Sequence, residues 1–464
     1  MENASLTEKT SAAGIPPQHP ATSTQQSLLT TDAPLLPVVL RLALPAVGTT
    51  LLQVLFNIVD TFWVGRTLGP AALAGVSTAG YALWIIISVG ELVGIGLTAV
   101  ASRRHGEGNA ESAAVATGTA LTLSALLGVL VSATGLGLIG PLFRLMHTPP
   151  EVTAMGTRFL TVQVLGAVLI YGYFAIDAGF RSGGDTRTPF VILGISVLLN
   201  LLLDPVMILG LGPVPRMGVY GAALATVLTR GFGFLAGFVV LARRRGVRLA
   251  FDPAIAWRII VVGLPVMLAG FLFSGIYILL VPTVRAFGVP ALAALGVGHK
   301  IEGLSYMMSV GFGLAAATLV GQNLGAGKPE RARRAGWVTA LVAAVPTLLL
   351  GVLFACIPRT LAGIFTTDPA TIADAALYLR FASLVQVALA FEEVLFASLS
   401  GAGYTFWPMI WVAVLSAIRI PLAPLVALRW GLAGIWALLA VTALGRGVSM
   451  AMLWKFARWD RIRA

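Results

Sequence analysis

The sequence predicts an all-α polytopic membrane protein, with twelve transmembrane helices in two pseudo-symmetric six-helix lobes around a central cleft. Its composition is the first observation behind this prediction. Of the 464 residues, 58% are hydrophobic and 11% are charged, and the mean hydropathy is +0.91. Soluble domains carry about 25% charged residues. Twelve recurring apolar segments and an internal repeat are the second and third observations, and together the three exclude a soluble fold.

Each apolar segment is long enough to cross a bilayer as a helix. A spanning helix needs about 20 mostly apolar residues, because its backbone N–H and C=O groups must be satisfied within the segment. Clusters of glycine, proline or arginine separate the segments. We predict helices over residues 35–64, 73–99, 112–140, 156–180, 188–211, 218–242, 257–284, 291–319, 335–357, 372–399, 406–428 and 431–454.

The second half of the chain repeats the first. The segment HGEGNAESA aligns with LGAGKPERA, which places Gly106 and Gly108 219 positions before Gly325 and Gly327. With six helices in each half, both halves enter the membrane in the same orientation, and an axis along the membrane normal should relate them. Such halves usually enclose a central cleft.

The repeat and the composition divide the chain into five parts. Residues 1–34 are rich in Ser, Thr, Gln and Pro and are expected to form a disordered cytoplasmic tail. We assign residues 35–242 to the N-lobe and residues 257–456 to the C-lobe. Residues 243–256 are the expected cytoplasmic linker between the lobes, and residues 457–464 are the expected basic cytoplasmic tail.

Basic residues fix the expected orientation. The connections after even-numbered helices and the C-terminal tail hold 17 Lys and Arg residues, whereas the other connections hold 7. The positive-inside rule therefore predicts an inner (plasma) membrane protein with both termini in the cytoplasm. The net charge of +12 lies mainly in these short loops, which indicates contact with anionic membrane lipid and not with nucleic acid.

No signature for a cofactor, ATP or a metal is found in the sequence. It has no GxxxxGK[ST] loop and no HExxH motif, and Cys356 is its single cysteine. Any uphill work must then use an ion gradient, with H⁺ or Na⁺ as the coupling ion, or the gradient of the substrate itself.

Two aspartates in the predicted spans are the strongest site candidates, because a charge in lipid costs several kcal/mol. Asp60 follows Gln53 and Asn57 at helical spacing, and Asp204 follows Asn200 by four residues. Either aspartate alone could cap a helix end or face headgroup water. As a pair in one cavity, they would favour the neutral acid through desolvation and mutual repulsion, which is what a proton carrier needs.

Only the N-lobe has this pair, since the equivalent positions of the repeat in the second half are roughly Leu280 and Ile420. Arg230 and Arg446 lie mid-helix at nearly equivalent positions and have no assigned partners. Glu91 is one candidate partner for Arg230.

Residues of the second half are candidates for a substrate cleft. Glu302, Glu392 and Glu393 could face the cleft and attract cations, or could pair with a base such as Arg380 or Lys300. The aromatic and methionine side chains could form an adaptable apolar pocket or could serve packing. These cleft candidates are Tyr277, Tyr306 and Met307.

The chain resembles the MATE family, the multidrug and toxic compound extrusion transporters, from about residue 37 to residue 456. The matching pieces include FNIVDTFWVG around Asp60, NLLLDP ending at Pro205, and TLVGQNLGAGKPERA from Thr318. The resemblance implies two lobes that open alternately to the two sides and exchange H⁺ or Na⁺ for small organic, often cationic, drugs. It also implies a coupling-ion site at Asp60, Asn200 and Asp204, with Thr226 as a further member.

The predicted seventh helix has no carboxylate, so the chain is more similar to the DinF-type branch, in which coupling lies in the N-lobe. We expect a monomer whose partners are small organic substrates and membrane lipid. A flippase for lipid-linked saccharides is the alternative with the same fold. A membrane-embedded transferase is the alternative from another class, although no loop is long enough for its active site.

Overall fold

The computed structural model describes residues 31–146 and 149–461, which are almost entirely helical and contain no strand. The described part of the chain has fifteen α-helices. They are α1 Leu35–Leu68, α2 Pro70–Gly106, α3 Ala110–Leu145, α4 Pro150–Leu165, α5 Ala167–Ser182, α6 Arg187–Leu209, α7 Val219–Arg245, α8 Pro253–Arg285, α9 Val289–Gly325, α10 Pro329–Cys356, α11 Pro358–Gly363, α12 Pro369–Ser383, α13 Gln386–Gly401, α14 Phe406–Ala417 and α15 Arg419–Phe456.

These helices form the twelve predicted spans, although three spans are interrupted. The pairs α4–α5 and α12–α13 are bent by 54° and 59°, at equivalent places in the two halves. The prediction that each of these spans is one continuous helix was wrong. Gly166 lies at the first bend, where a Cβ would collide with Val227 of α7, so the glycine permits a close approach of two helices. A third break separates α14 from α15, and Gly431 divides α15 because its backbone is not helical (φ 61°).

The helix ends have identifiable signals in the sequence. The Asn109 side chain accepts a hydrogen bond from the Ser112 backbone N–H at the start of α3. Asp252 accepts from two backbone N–H groups at the start of α8. Such caps satisfy the free N–H groups of a first turn. Many helices extend past their predicted ends, α2 for example to Gly106 instead of residue 99, because they continue beyond the apolar segment.

The first helix of each half crosses from one lobe to the other. The first half of α1 packs into the C-lobe core, where Val39 and Leu42 lie in one cluster with Leu319 and Leu395. The second half of α1 packs in the N-lobe. In the same way, Ile259 at the start of α8 packs into the N-lobe core. Any relative movement of the lobes must therefore act on these two helices.

The lobes meet closely at what we call the linker face, the face at which α2, α7 and α9 end. A Cβ at Gly106 would strike the carbonyl oxygen of Gln322, and a Cβ at Gly325 would strike the carbonyl oxygen of Arg103. These two contacts are equivalent in the repeat, since Arg103 and Gln322 are also 219 positions apart. Gln322 donates a further hydrogen bond to the Ser182 carbonyl oxygen at 2.6 Å. The cleft is thus closed at the linker face.

Both ends of the described chain pack onto the linker face. The Asp32 carboxylate pairs with Lys328 at the start of α10, so the prediction of a disordered segment is wrong for residues 31–34. Residues 1–30 lie outside the described part. At the other end Trp459 is buried and stacks on Trp454, with ring centroids 4.0 Å apart. The expected C-terminal tail therefore packs at least as far as residue 461.

Candidate functional site

Asp60 lies in the half of α1 that is far from the linker face. Asp60 is an ionisable residue within a membrane-spanning helix, and it is only 9% exposed. The Thr226 hydroxyl on α7 donates a hydrogen bond to Asp60 Oδ2 at 2.9 Å. The other carboxyl oxygen, Oδ1, has no hydrogen-bond partner. Asp60 thus keeps one free acceptor in a dry environment.

Asp204 lies on α6 and faces the same space. Asn200, one helical turn earlier, donates from Nδ2 to Asp204 Oδ1 at 3.2 Å, and both side chains are fully buried. Pro205 has no N–H, so the carbonyl of Leu201 loses its usual helical donor at this point. The Asp60 and Asp204 carboxyl groups are close enough to interact electrostatically with each other. The structure therefore brings together the four residues that the sequence had placed in one cluster.

Unpaired oxygens define what this cluster can hold. Asp60 Oδ1, Asp204 Oδ2 and Asn200 Oδ1 are buried and receive no hydrogen bond. Leaving a buried polar group unsatisfied costs about 1–3 kcal/mol. Carboxylate, amide and hydroxyl oxygens are hard ligands, which suit a proton or a small hard cation. In the described residues no group of three or more His, Cys, Asp or Glu side chains could hold a metal ion.

Two further residues predicted for the coupling-ion site, Gln53 and Asn57, do not join the buried cluster through hydrogen bonds. Asn57 is exposed, and Gln53 is partly buried. Neither side chain has a hydrogen bond to Asp60 or Asp204. Their membership of the coupling-ion site stays a prediction.

Arg230, to which the sequence analysis assigned no partner, lies next to the cluster. Its guanidinium carbon is 4.8 Å from the ring centroid of Phe56 and 5.2 Å from that of Tyr173. Glu91, the candidate partner, forms no ion pair with Arg230 and interacts instead with Arg181. That suggestion was therefore wrong. Aromatic faces can hold a cation in a buried place where no carboxylate is paired with it.

Asp177 and Arg181 form an ion pair at 2.8 Å on α5. Their spacing of four residues is typical of a surface pair on a helix, but both side chains are more than 90% buried. The pair is neutral as a unit.

The C-lobe candidates form a separate polar network. Tyr378 donates a hydrogen bond to Glu302 at 2.5 Å. Glu392 is 4% exposed and pairs with Arg446 at 3.0 Å, and not with Arg380 or Lys300. For Glu392 the structural role is the one that the geometry supports.

Arg419, which the sequence reading missed, is the second cation of this network. It is 1% exposed and donates to the Thr442 hydroxyl at 2.7 Å and to the Tyr277 hydroxyl at 3.3 Å. A charge within an apolar segment was the available signal. Tyr277 is thus engaged with Arg419 and also contacts the His299 ring edge-on at 4.5 Å.

The remaining cleft candidates lie where the lobes approach each other. Tyr306, Met307 and Glu393 are partly buried. The Met307 carbonyl oxygen accepts a hydrogen bond from Thr50 of α1 at 2.8 Å, which joins the two lobes at mid-helix. Glu393 and Tyr306 are close enough to interact, and Glu91 of the N-lobe lies within electrostatic range of both. These residues are candidates for lining the cleft.

Twin helical lobes, a cleft closed at one face and a buried acidic cluster in one lobe define a membrane transporter. The profile of the MatE family matches residues 45–206 and 265–425. The chain belongs to this family. Because its members are transporters and not enzymes, the transferase alternative is excluded.

Named relatives match almost the whole chain. A probable multidrug resistance protein NorM of Pseudomonas aeruginosa is 31% identical over 450 residues, which cover 91% of this chain and 90% of that protein. A protein of the same name from Thermotoga maritima is 29% identical and covers 91% and 92%. A protein of Shewanella oneidensis named FAD transporter is also 29% identical, with coverage of 90% and 94%.

Solved structures show the same fold. A multidrug resistance MATE family transporter in an outward-facing conformation superimposes with a TM-score of 0.86. It is 23% identical in sequence, and the match covers 94% of this chain and 98% of that one. A MOP superfamily transporter from Pyrococcus furiosus also gives a TM-score of 0.86, at 23% identity, with coverage of 93% and 97%. These matches confirm the predicted two-lobe architecture.

Proposed function

We propose that this chain is a secondary active multidrug exporter that exchanges H⁺ or Na⁺ for small organic, often cationic, molecules by alternating access. The observation that carries the proposal is the Asp60–Asp204 pair, whose two free carboxyl oxygens are buried in one lobe beside the cleft. A site of this kind gains stability when a cation arrives and loses it when the cation leaves. That difference is what drives a two-state cycle.

The coupling follows from where the pair lies. Asp60 is ten residues beyond Thr50, where α1 is bonded to α9, and so about 15 Å farther from the linker face. A cation that enters from the opposite face reaches the pair without crossing the closed contact at Gly106 and Gly325. A cation bound at the pair changes how α1, α6 and α7 attract one another. Since the first half of α1 packs on the C-lobe, this change acts directly on the lobe interface.

The orientation belongs to the proposal as well. We place both termini and the linker face in the cytoplasm of an inner-membrane protein, because the basic loops lie at that face. The closed linker face then corresponds to a state that is open to the outside, in which substrate leaves and the coupling cation enters.

A second candidate cargo is an anionic, pyrophosphate-bearing molecule. It is favoured by the relative named FAD transporter and by interior cations such as Arg230 and Arg419. The flippase alternative for lipid-linked saccharides would use the same chemistry. In the C-lobe, however, Arg446 is paired with Glu392 and Arg419 is 1% exposed, so neither offers an open anion site. We therefore rank cationic drugs first.

One set of experiments tests the cargo and the ion separately. Expression in an efflux-deficient host should lower the retention of ethidium and raise resistance across a panel of cationic drugs. Unchanged retention and resistance across the panel would contradict drug export. Purified protein in proteoliposomes should then accumulate the same dye only under an imposed pH gradient or an imposed sodium gradient. Flavin adenine dinucleotide in the same vesicles tests the second cargo.

A further inference from the structure

Arg230 and the aspartate pair are held together by two neighbouring helices. Asp60 and Phe56 are one turn apart on α1, and Thr226 and Arg230 are one turn apart on α7. Thr226 contacts Asp60, and Arg230 contacts Phe56, so one turn of α1 packs against one turn of α7. One turn is about 6 Å along the axis. The guanidinium group therefore lies roughly one turn from the Asp60 carboxyl group, on the side of the linker face.

Arg230 has no carboxylate of its own. No acidic side chain of the described residues lies within 4 Å of its guanidinium group, and its Nη1 is buried without a hydrogen bond. It is held by the faces of Phe56 and Tyr173. Its charge is felt at Asp60 and at Tyr173. Arg230 is partly buried, and burying a cation without an ion-pair partner is costly, so the nearest negative charge is expected to compensate it.

The other charged groups of the N-lobe interior do not alter this balance. Asp177 and Arg181 on α5 cancel each other at 2.8 Å. Glu91 on α2 lies beside Arg181 and toward Glu393 of the C-lobe. The local balance is thus set by Asp60 of α1, Asp204 of α6 and Arg230 of α7.

We propose that Arg230 is a built-in counter-charge that sets the number of coupling cations at the Asp60–Asp204 pair to one. This inference rests on the proposed coupling role of the pair. With both aspartates ionised and Arg230 protonated, the cluster carries one net negative charge, and a single H⁺ or Na⁺ makes it neutral. Without Arg230 the same two aspartates would need two cations. In a low-dielectric interior an uncompensated charge costs several kcal/mol. The cluster therefore binds the number of cations that makes its net charge zero.

The nearly equivalent arginine of the C-lobe, Arg446, shows the alternative arrangement. Arg446 stands four residues after Thr442, as Arg230 stands four after Thr226. Arg446 is paired with Glu392, whereas the N-lobe residue in the place of Glu392, 219 positions earlier, is Tyr173. Because a tyrosine replaces the glutamate, the charge of Arg230 is available to the aspartate pair.

Infrared spectroscopy can count the protons on the pair without any transport. Full-length protein in lipid nanodiscs, at neutral pH and without sodium, is measured in the carbonyl-stretch region of protonated carboxylic acids. The spectrum of the Asp60→Asn/Asp204→Asn double variant is subtracted, which leaves the contribution of the pair. In an Arg230→Met background we expect this band to have about twice its wild-type area, since each protonated carboxyl contributes one oscillator. Arg230→Gln should give the same doubling and serves if the methionine variant does not fold.

Arg230→Lys is the matched control, because it keeps the charge and loses the planar stacking. It should leave the band at its wild-type area. Equal areas in wild type, Arg230→Met and Arg230→Gln would overturn the proposal, and so would doubling in Arg230→Lys. The result is independent of the proposed function: a doubled band in a protein that exports nothing leaves the charge balance intact and removes the coupling role, whereas coupled export with an unchanged band removes only the role of Arg230.

Discussion

The two lobes share a backbone plan and differ in how they treat buried charge. In the N-lobe the two carboxyl groups of Asp60 and Asp204 face each other, and neither forms an ion pair. In the C-lobe the buried carboxylate of Glu392 pairs with Arg446, and Glu302 accepts a hydrogen bond from a tyrosine. A buried charge that is already paired has little to gain from a cation. Under the proposed function, the N-lobe pair is the part that responds to an ion, and the C-lobe cluster holds its helices in place.

The largest expected effect is the loss of export when the N-lobe pair is altered. Asp60→Asn or Asp204→Asn should lower drug resistance in cells to the level of the efflux-deficient host, because the proposed coupling site then lacks one of its two ionisable groups. Both variants should reach the membrane at near-normal levels, since removing a strained charge from an apolar site relieves cost. The exposed helix cap Asp368→Asn is the control and should keep full resistance. Full resistance in either cluster variant would remove that residue from the site.

The C-lobe network should matter for stability more than the N-lobe arginine does. Glu392→Leu leaves the Arg446 charge buried and unpaired, so it should lower the free energy of unfolding by about 3 kcal/mol. Arg230→Met removes two aromatic contacts and should cost about 1 kcal/mol. Thermal unfolding in detergent compares them. The double variant Glu392→Leu/Arg446→Met should recover much of the loss, and equal losses for Glu392→Leu and Arg230→Met would contradict the distinction between the lobes.

Sequence reasoning predicted the fold correctly and grouped the residues of the candidate site, for reasons that can be named. Helical spacing joins Asn200 to Asp204, and resemblance joined both to Asp60 and Thr226. The repeat showed that only one lobe has the pair. Sequence could not place Arg446 against Glu392 or Arg419 against Thr442, because these contacts join helices far apart in the chain and depend on rotation about each helix axis. The bend at Gly166 was also missed, since no proline marks it.

Substitutions at Gly106 and Gly325 test whether the two equivalent contacts at the linker face act as a gate between the lobes. Gly106→Ala and Gly325→Ala each add a methyl group that meets a backbone carbonyl of the other lobe. Both should therefore disfavour the closed linker face and shift the population toward the alternative state by a few-fold or more. Distances between spin labels across this face would report the shift. Gly137→Ala and Gly303→Ala, whose Cβ would meet nothing within 4 Å, are matched controls; an unchanged distance distribution in both gate variants would argue against the gate.

The last comparison is between two threonines at nearly equivalent positions of the two lobes, Thr226 and Thr442. Thr226→Val removes the hydroxyl that donates to Asp60, and it should weaken the apparent affinity for the coupling ion by roughly 10-fold, as for one hydrogen bond to a charged group. Thr226→Ser should restore it. Thr442→Val removes the acceptor of Arg419 and should change stability but not the ion concentration for half-maximal export. A similar shift in ion dependence for both valine variants would contradict the assignment of ion binding to the N-lobe alone.

Transport by Asp204→Asn in proteoliposomes tests the central claim most directly, that ion coupling lies in the N-lobe pair. Two assays use the same vesicles and the same dye: exchange of labelled for unlabelled dye without an ion gradient, and uphill accumulation under an imposed H⁺ or Na⁺ gradient. We predict that Asp204→Asn keeps the exchange, because the cleft and its gates are intact, and loses the response to the ion gradient. Uphill accumulation at the wild-type level in this variant would contradict the claim.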